Sequence, residues 1–386
     1  MRADSRAVHA GRELGPRDPQ APTLVPTSAW VFTDLDDYDS VASAAIPGHV
    51  YARESSTNVS MLEVAMAALE GAESSAATAS GMAAVLTSIL ALAPRPAPLV
   101  VDRRAYGGSL ALLRRDLAPL GYVIREVDLD DARALEVGLD GAALLLAETI
   151  SNPLCRVCDL DRVALACRRA GAALVVDGTF ATPILNRPLE HGATLVLHSA
   201  TKYLGGHSDL VAGVVCGPEA IIEEVRARRS RLGASLGAFE AWLALRGLRT
   251  LHLRMPRHSS NGLRLARAMK PFPGVERVHH PALDVEAGAV CQRLLPAGSG
   301  GMFAFDLDGG RPAVQRLVSG LGLVRFAASL GGVETTISYP ALTSHRSLSA
   351  EERRAAGVGE GTVRVSTGLE DPQDLIDDFQ QALGTQ

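Results

Sequence analysis

The amino-acid sequence predicts an α/β protein: a mostly parallel sheet wrapped by helices, preceded by an N-terminal arm and followed by a smaller C-terminal α+β domain. Three observations carry this. Prolines crowd the first fifty or so residues, short apolar runs of strand length then alternate with helical patterns, and the pattern changes near residue 250. In the first segment Pro16, Pro19, Pro22 and Pro26 break any long helix, which leaves an arm (1–58) with little core of its own. In the second (59–250) the runs "APLVVD" (97–102), "ALLLAE" (143–148), "AALVVD" (172–177), "ATLVLH" (193–198) and "LVAGVVC" (210–216) read as buried strands. Between two of them, "DLDRVALACRRAG" (159–171) puts Leu160, Val163, Ala164 and Cys167 on one helical face and arginines on the other. In the third (251–386), "GMFAFDLDG" (301–309) and "GTVRVSTG" (361–368) read as strands and "DPQDLIDDFQQAL" as an amphipathic helix. There is no internal repeat and no low-complexity segment.

Composition narrows the function. With 386 residues, 47% hydrophobic and 21% charged, the chain has material for a large core. A net charge of −5 and the lack of a long basic tract argue against nucleic acid as partner. No apolar run is long enough for a membrane span, and the first twenty residues lack the apolar core of a signal peptide, so the expected location is cytoplasmic. Five cysteines make no disulfide framework, and "CRVC" (155–158) lacks a second ligand pair at zinc spacing, so no metal is expected.

The chemistry centres on "LVLHSATKYLGGHSDLVAG" (195–213). The chain is rich in arginine, and its only lysines are Lys202 and Lys270. Guanidinium stays protonated in proteins, whereas a desolvated ammonium can become a nucleophilic amine, so a lysine retained in such a chain points to covalent chemistry on a carbonyl. The plainer alternative is a surface charge. The context favours chemistry, because ligands of an open parallel sheet gather at its strands' carboxyl ends. Glu148, Asp177 and His198 stand there, followed by Ser199, Thr201 and Lys202. Asp177 can keep a heteroaromatic nitrogen protonated, and Ser199 and Thr201 can bind phosphate. "TASGMAAVLTSILAL" (78–92) opens a helix whose free N–H groups at Gly81 and Met82 would cradle an anion. A lysine, a strand-end acid and a phosphate cradle together describe a site for pyridoxal 5′-phosphate.

At these motifs the chain resembles the Cys/Met-metabolism family of fold-type I pyridoxal-phosphate enzymes, the group of cystathionine γ-lyase, cystathionine γ-synthase and methionine γ-lyase. The resemblance runs through "AVHAG" (7–11), "YAR" (51–53), "ASGMAA" (79–84), "AYGGS" (105–109), "ETISNP" (148–153), "VVDGTF" (175–180), "HSATKYLGGHSD" (198–209), "SLGGVET" (329–335) and "RVSTGLED" (364–371). It implies that Lys202 carries the cofactor as a Schiff base, that Tyr106 stacks on its ring, and that Asp177 partners the ring nitrogen. It places Asn152 near the phenolic oxygen, and Gly81, Met82, Thr179, Ser199 and Thr201 among the same-subunit cofactor contacts. Tyr51 and Arg53 resemble a pair that reaches a neighbouring subunit's phosphate. This implies a homodimer as the minimal active unit and a homotetramer by the family's pattern. Arg364 resembles the arginine that grips the substrate α-carboxylate, with Ser329 and Asn152 beside it; read alone, Arg364 would be a strand-edge surface charge. His207 reads as a loop-ordering residue, and His345 lies near the expected entrance.

Departures from the family matter too. "ESSTN" (54–58) replaces a proline-containing turn, Gly178 replaces an asparagine, and Gly108 stands where methionine γ-lyases carry cysteine. Leu110, Ala111 and Ala328 occupy positions that bear polar or charged groups in cystathionine-handling members. A distal pocket without those groups would bind a second zwitterionic half poorly. The expectation is therefore γ-elimination on an L-amino acid with a short γ-substituent of the methionine, homocysteine, homoserine-derivative or γ-halo type. In the implied reaction Lys202, displaced by the substrate amine, removes the Cα proton, and loss of a second proton at Cβ releases the substituent. A γ-replacement transferase of the synthase or sulfhydrylase kind is the runner-up, and a catalytically silent homologue is a third reading.

Overall fold

The computed structural model describes residues 1–11, 18–284, 288–346 and 348–384. Pro16 of the expected arm lies outside the described residues. Seven strands form the larger sheet: β1 Ser74–Thr78, β2 Pro98–Asp102, β3 Val123–Val127, β4 Leu144–Glu148, β5 Ala173–Asp177, β6 Leu195–Ser199 and β7 Gly213–Gly217. Their order is β1-β7-β6-β5-β4-β2-β3, and the expected mostly parallel sheet is what forms. Only β7 runs against its neighbours. The reason is local. A parallel partner needs a crossover that returns the chain, usually through a helix, whereas the lysine loop joining β6 and β7 contains no helix and turns back.

Alternate residues along the strands feed two cores. Val176, Val196 and Val214 pack on one face, and Val175, Leu195 and Leu197 on the other. Each such fully buried side chain is worth about 1.5–3 kcal/mol relative to leaving it in water. The helix Leu160–Ala170 buries Leu160, Val163, Ala164 and Cys167, as its periodicity predicts, and ends at Gly171 in the left-handed conformation. Two strands escape a search for apolar runs. β1 reads "SSAAT", yet all five residues are buried. It is held by Glu63, whose carbonyl accepts from Ser75 Oγ at 2.7 Å and whose Oε1 accepts from Ala77 N–H at 2.9 Å. β3 reads "VIREV" and is an edge strand, mostly outside the core.

The second sheet contains β8 Val275–His279, β9 Met302–Leu307, β10 Arg325–Phe326, β11 Thr336–Ser338 and β12 Thr362–Ser366, in the order β10-β11-β12-β9-β8. Helix Leu251–Met269 leads into it, and helix Pro372–Gly384 packs its Leu375, Phe379, Ala382 and Leu383 into the core shared with Phe303 and Phe305.

The N-terminal region behaves in two ways. Helix Ala3–His9 is docked: Ala7 is buried, and Arg249 Nη1 donates to the Val8 carbonyl at 2.5 Å and to that of Ala10 at 2.9 Å. From Asp18 to Ser55, by contrast, no residue is buried. Val31 is 99% exposed and Leu35 86%, and helix Leu35–Ala42 buries nothing.

Candidate active site

β4, β5 and β6 end side by side, with Glu148 opposite Asp177 and Asp177 opposite Leu197. Above these ends lies a cavity of about 420 Å³. The second sheet closes it, because β12 carries Arg364 between Ser338 of β11 and Ala304 of β9. Arg364 is therefore a central-strand residue, only 3% exposed, and not a surface charge. Its Nη1 donates to Asn152 Oδ1 at 2.9 Å and its Nη2 to the Ser329 carbonyl at 3.2 Å, while Nε has no partner among the described residues. A buried guanidinium with no carboxylate partner among the described residues suits an incoming carboxylate. Burial pulls its pKa down to about 10.

Lys202 follows β6 in a loop held from outside the sheet. Arg254 Nη1 donates to the Tyr203 carbonyl at 2.7 Å, and its Nη2 to that of Gly247 at 2.8 Å. Gly331, at φ +76°, sits so close that an added Cβ would lie 2.7 Å from Tyr203 N. Lys202 Nζ donates to Ser329 Oγ at 3.1 Å. Burial first, and then the Arg364 charge, lower its pKa from 10.5 to about 8. A sizeable neutral amine fraction near neutral pH follows, which is what attack on a carbonyl or removal of a Cα proton requires.

Asp177 is raised by burial and drawn back by Thr179, whose N–H donates to Oδ1 at 2.9 Å, and by His198. Thr179 Oγ1 accepts from Ser199 N–H at 2.8 Å, tying the two strand ends together. Glu148 accepts the Tyr106 N–H at 2.6 Å and that of Asn152 at 3.3 Å. Burial, then Asp177, push Glu148 well above the usual carboxylate range. The Tyr106 ring folds over its own turn, where a Cβ on Gly108 would lie 2.5 Å from it. A side chain at 108 would require that ring, which is 38% exposed, to shift.

Helix Gly81–Leu92 opens onto the cavity. Ser80 caps helix Gly81–Leu92 by accepting the Ala83 N–H at 3.1 Å. The N–H groups of Gly81 and Met82 have no acceptor within the helix. A Cβ on Gly81 would lie 2.8 Å from Ser199 Cβ, so the glycine lets the helix start close over Ser199. Ser80, Gly81, Met82, Ser199 and Thr201 all line the cavity. A lysine amine of lowered pKa, a buried carboxylate and this anion cradle around one cavity fit pyridoxal phosphate.

The structure thus gathers Gly81, Met82, Tyr106, Asn152, Asp177, Thr179, Ser199, Thr201, Lys202 and Arg364 around one cavity, with Ser329 bonded to Lys202 and Arg364. Tyr51 and Arg53 are elsewhere. They stand together on the exposed surface, the Arg53 guanidinium 5.5 Å from the Tyr51 ring centre. Two distal positions are corrected. Leu110 is 1% exposed in the core, and neither it nor Ala111 lines the cavity, whereas Ala328 does. Gly107–Ala111 is helical, and its turn aims Leu110 at the sheet. Sequence reading missed Val85, Phe180, Thr343 and Ser344, which also line the cavity. Thr343 and Ser344 come from a loop after β11, and no local pattern announces that it covers a site on the other sheet. His345, in the same loop, is buried and bonded through Nδ1 to Ser344 Oγ at 2.9 Å. His207 Nδ1 donates to the Gly205 carbonyl at 2.8 Å, ordering its loop.

Among the described residues no group of three or more metal-ligating side chains occurs, and no helix is long and apolar enough to cross a membrane. The Cys/Met-metabolism PLP-dependent enzyme family profile matches residues 4–384. The chain is 38% identical to L-methionine gamma-lyase of Pseudomonas putida, across 98% of this chain and 96% of that one. It is 37% identical to O-succinylhomoserine sulfhydrylase of Pseudomonas aeruginosa, across 98% and 94% respectively. A crystal structure of cystathionine gamma synthase from Xanthomonas oryzae pv. oryzae, in complex with aminoacrylate and cysteine, superposes with a TM-score of 0.92 at 36% identity, covering 100% of this chain and 98% of that one. With a full-length family match, a fold-type I architecture and a cavity built around a lysine, the chain belongs to the pyridoxal-phosphate-dependent enzymes of Cys/Met metabolism, which act by γ-elimination or γ-replacement.

Proposed function

We propose that the protein is a γ-eliminating lyase acting on an L-amino acid with a short γ-substituent that carries no second amino-acid group. The observation that carries this reading is the charge inventory of the cavity. Among the described residues lining it, the only cations are Lys202 and Arg364, and Met82, Val85, Val211 and Ala328 supply apolar surface. Arg364, with Asn152 and Ser329, holds the α-carboxylate. Lys202 would hold the cofactor, and its neutral amine is the base for the Cα proton. Bound pyridoxal phosphate supplies the electron sink. Asp177 keeps a proton on the ring nitrogen, Tyr106 covers the ring, and Gly81, Met82, Ser199 and Thr201 hold the phosphate. The distal half of a cystathionine would bring an ammonium and a carboxylate against these apolar residues, which costs binding. Steady-state kinetics test this. The preferred short-chain substrate should exceed cystathionine in kcat/KM by at least about tenfold, about 1.4 kcal/mol in the transition state. A higher kcat/KM for cystathionine would refute it.

Similar identity to a sulfhydrylase supports γ-replacement as the second reading. Release of a 2-oxo acid and ammonia without added thiol selects elimination; turnover only with a thiol selects replacement.

We further propose that segment 1–58 is an arm that completes a neighbouring copy's site through Tyr51 and Arg53, in a homodimer or a tetramer of two dimers in the cytoplasm. The unburied stretch from Asp18 to Ser55, with Val31 and Leu35 exposed, supports it. Arg53→Ala and Lys202→Ala proteins should each be nearly inactive and should regain activity when mixed and reassembled. No recovery would end this reading.

A further inference from the structure

A fully buried polar pair lies beneath the strand ends, and the steps above do not use it. Glu70 is the last residue of helix Thr57–Glu70, and His198 is on β6. Both side chains are 0% exposed, and Oε1 and Nε2 are 2.5 Å apart. The placement is costly in two ways. A carboxylate in the last turn stands at the negative end of the helix dipole. Among the described residues Glu70 Oε2 and His198 Nδ1 also have no hydrogen-bond partner, and a buried ion pair is in general weak evidence for stability. A carboxylate bonded this closely to an imidazole favours the charged form of the ring.

The other edge of the ring points to a role. Gly178 follows Asp177, and its N–H donates to the Leu197 carbonyl, next to His198, at 2.9 Å. A Cβ on Gly178 would lie 2.6 Å from His198 Cε1 and 3.3 Å from Nδ1. Glycine therefore lets the imidazole edge lie against the backbone that carries Asp177, at a position where the chain departs from its family's usual asparagine. Glu70 from the helix is bonded to the ring, and Asp177 of β5, whose strand position puts it on the other face of the sheet, is coupled to it by charge. The thiol of Cys216 on β7 near Glu70 is kept neutral by burial, with the Glu70 charge adding to the effect. His198 is also among the groups that draw Asp177 down against its burial.

We propose that Glu70 and His198 act as one charged positioning pair: Glu70 keeps a proton on the imidazole, and the imidazolium supports the Asp177 carboxylate from below, past Gly178. The inference rests on Asp177 being the partner of the cofactor's ring nitrogen. The pair touches neither substrate nor cofactor.

Two measurements on the full-length, cofactor-loaded protein test it. Nitrogen-15 histidine NMR of the unaltered protein should show both ring nitrogens of His198 protonated at pH 7.5, and a neutral imidazole would overturn the proposal. The double variant Glu70→Gln with His198→Gln keeps an amide-to-amide hydrogen bond but removes both charges. It should fold, lose visible absorbance of the protonated bound cofactor, and bind pyridoxal phosphate about tenfold more weakly, the effect of one pKa unit at Asp177. Its kcat should fall while KM stays. Parental spectrum, affinity and kcat in a folded double variant would mean that the pair only packs. Should that variant not fold, the NMR result alone decides. Asp177→Asn separates the layers: full activity there would remove the underlying reading, whereas an inactive Asp177→Asn beside a neutral His198 would remove only the pair.

Discussion

The two ends of the cavity are built on different rules. At the proximal end nearly every polar group is held by another: Arg364 by Asn152 and Ser329, Lys202 by Ser329, Asp177 by Thr179, Tyr106 and Asn152 by Glu148. Elsewhere in the lining, Val85, Val211 and Ala328 offer surface but no charge, and the hydroxyls of Thr343 and Ser344 are bonded within their own loop. The difference teaches where specificity resides. A preorganised charged end recognises what all α-amino acids share and does so in one geometry. An apolar end discriminates by size and by the cost of stripping water from a polar substituent, which is a weaker and more easily altered filter.

The largest expected effect is at the most constrained residue. Lys202→Arg keeps a cation but not a titratable amine. Turnover should fall by at least about a thousandfold, as when a covalent and acid–base group is removed, and borohydride should fix no cofactor to the chain. Significant activity would mean that the proximal end does not work through Lys202. The same site carries a pH signature. Because the folded-state pKa of Lys202 is lowered to about 8, the neutral amine gains population as pH rises through 8 and not through 10.5. In cofactor-free protein, the rate of pyridoxal phosphate capture, followed by absorbance, should therefore have its midpoint near pH 8. A midpoint two units higher would show that the burial is lost in solution.

Arg364→Lys comes next. A point charge replaces a planar fork buried against Asn152 and Ser329, so kcat/KM should fall by about a hundredfold, mostly through KM, as expected for loss of a bidentate carboxylate contact. A change confined to kcat would place Arg364 on the reacting atoms instead. The smallest effect should come from the distal end. Ala328→Glu adds a partner for a distal ammonium and should move the ratio of kcat/KM values toward cystathionine by about fivefold to tenfold, the scale of a partly desolvated ion pair. No movement would mean that the γ-substituent lies away from Ala328.

Much of this protein was legible in its sequence, and the reason is locality. The lysine loop, the capped helix start at Ser80–Met82, the strand-end Asp177 and the buried strands "LVVD" and "LLLAE" are each specified by a few consecutive residues. Burial of a strand demands apolar side chains, a helix start demands a cap, and covalent chemistry demands an amine, so residue type alone reveals them. What only the tertiary structure decided depends on contacts between distant segments. β1 is buried because Glu63 and Ser75 satisfy its polar groups, so its "SSAAT" carries no apolar signal. Leu110 belongs to the core because its helical turn aims it there, although its place in the chain suggested the distal pocket. Thr343 and Ser344 line the cavity because the second sheet folds over the first. The lowered pKa of Lys202 exists only once burial and Arg364, 162 residues away in the chain, surround it: desolvation and Coulomb interaction depend on distance in space, which sequence order does not encode.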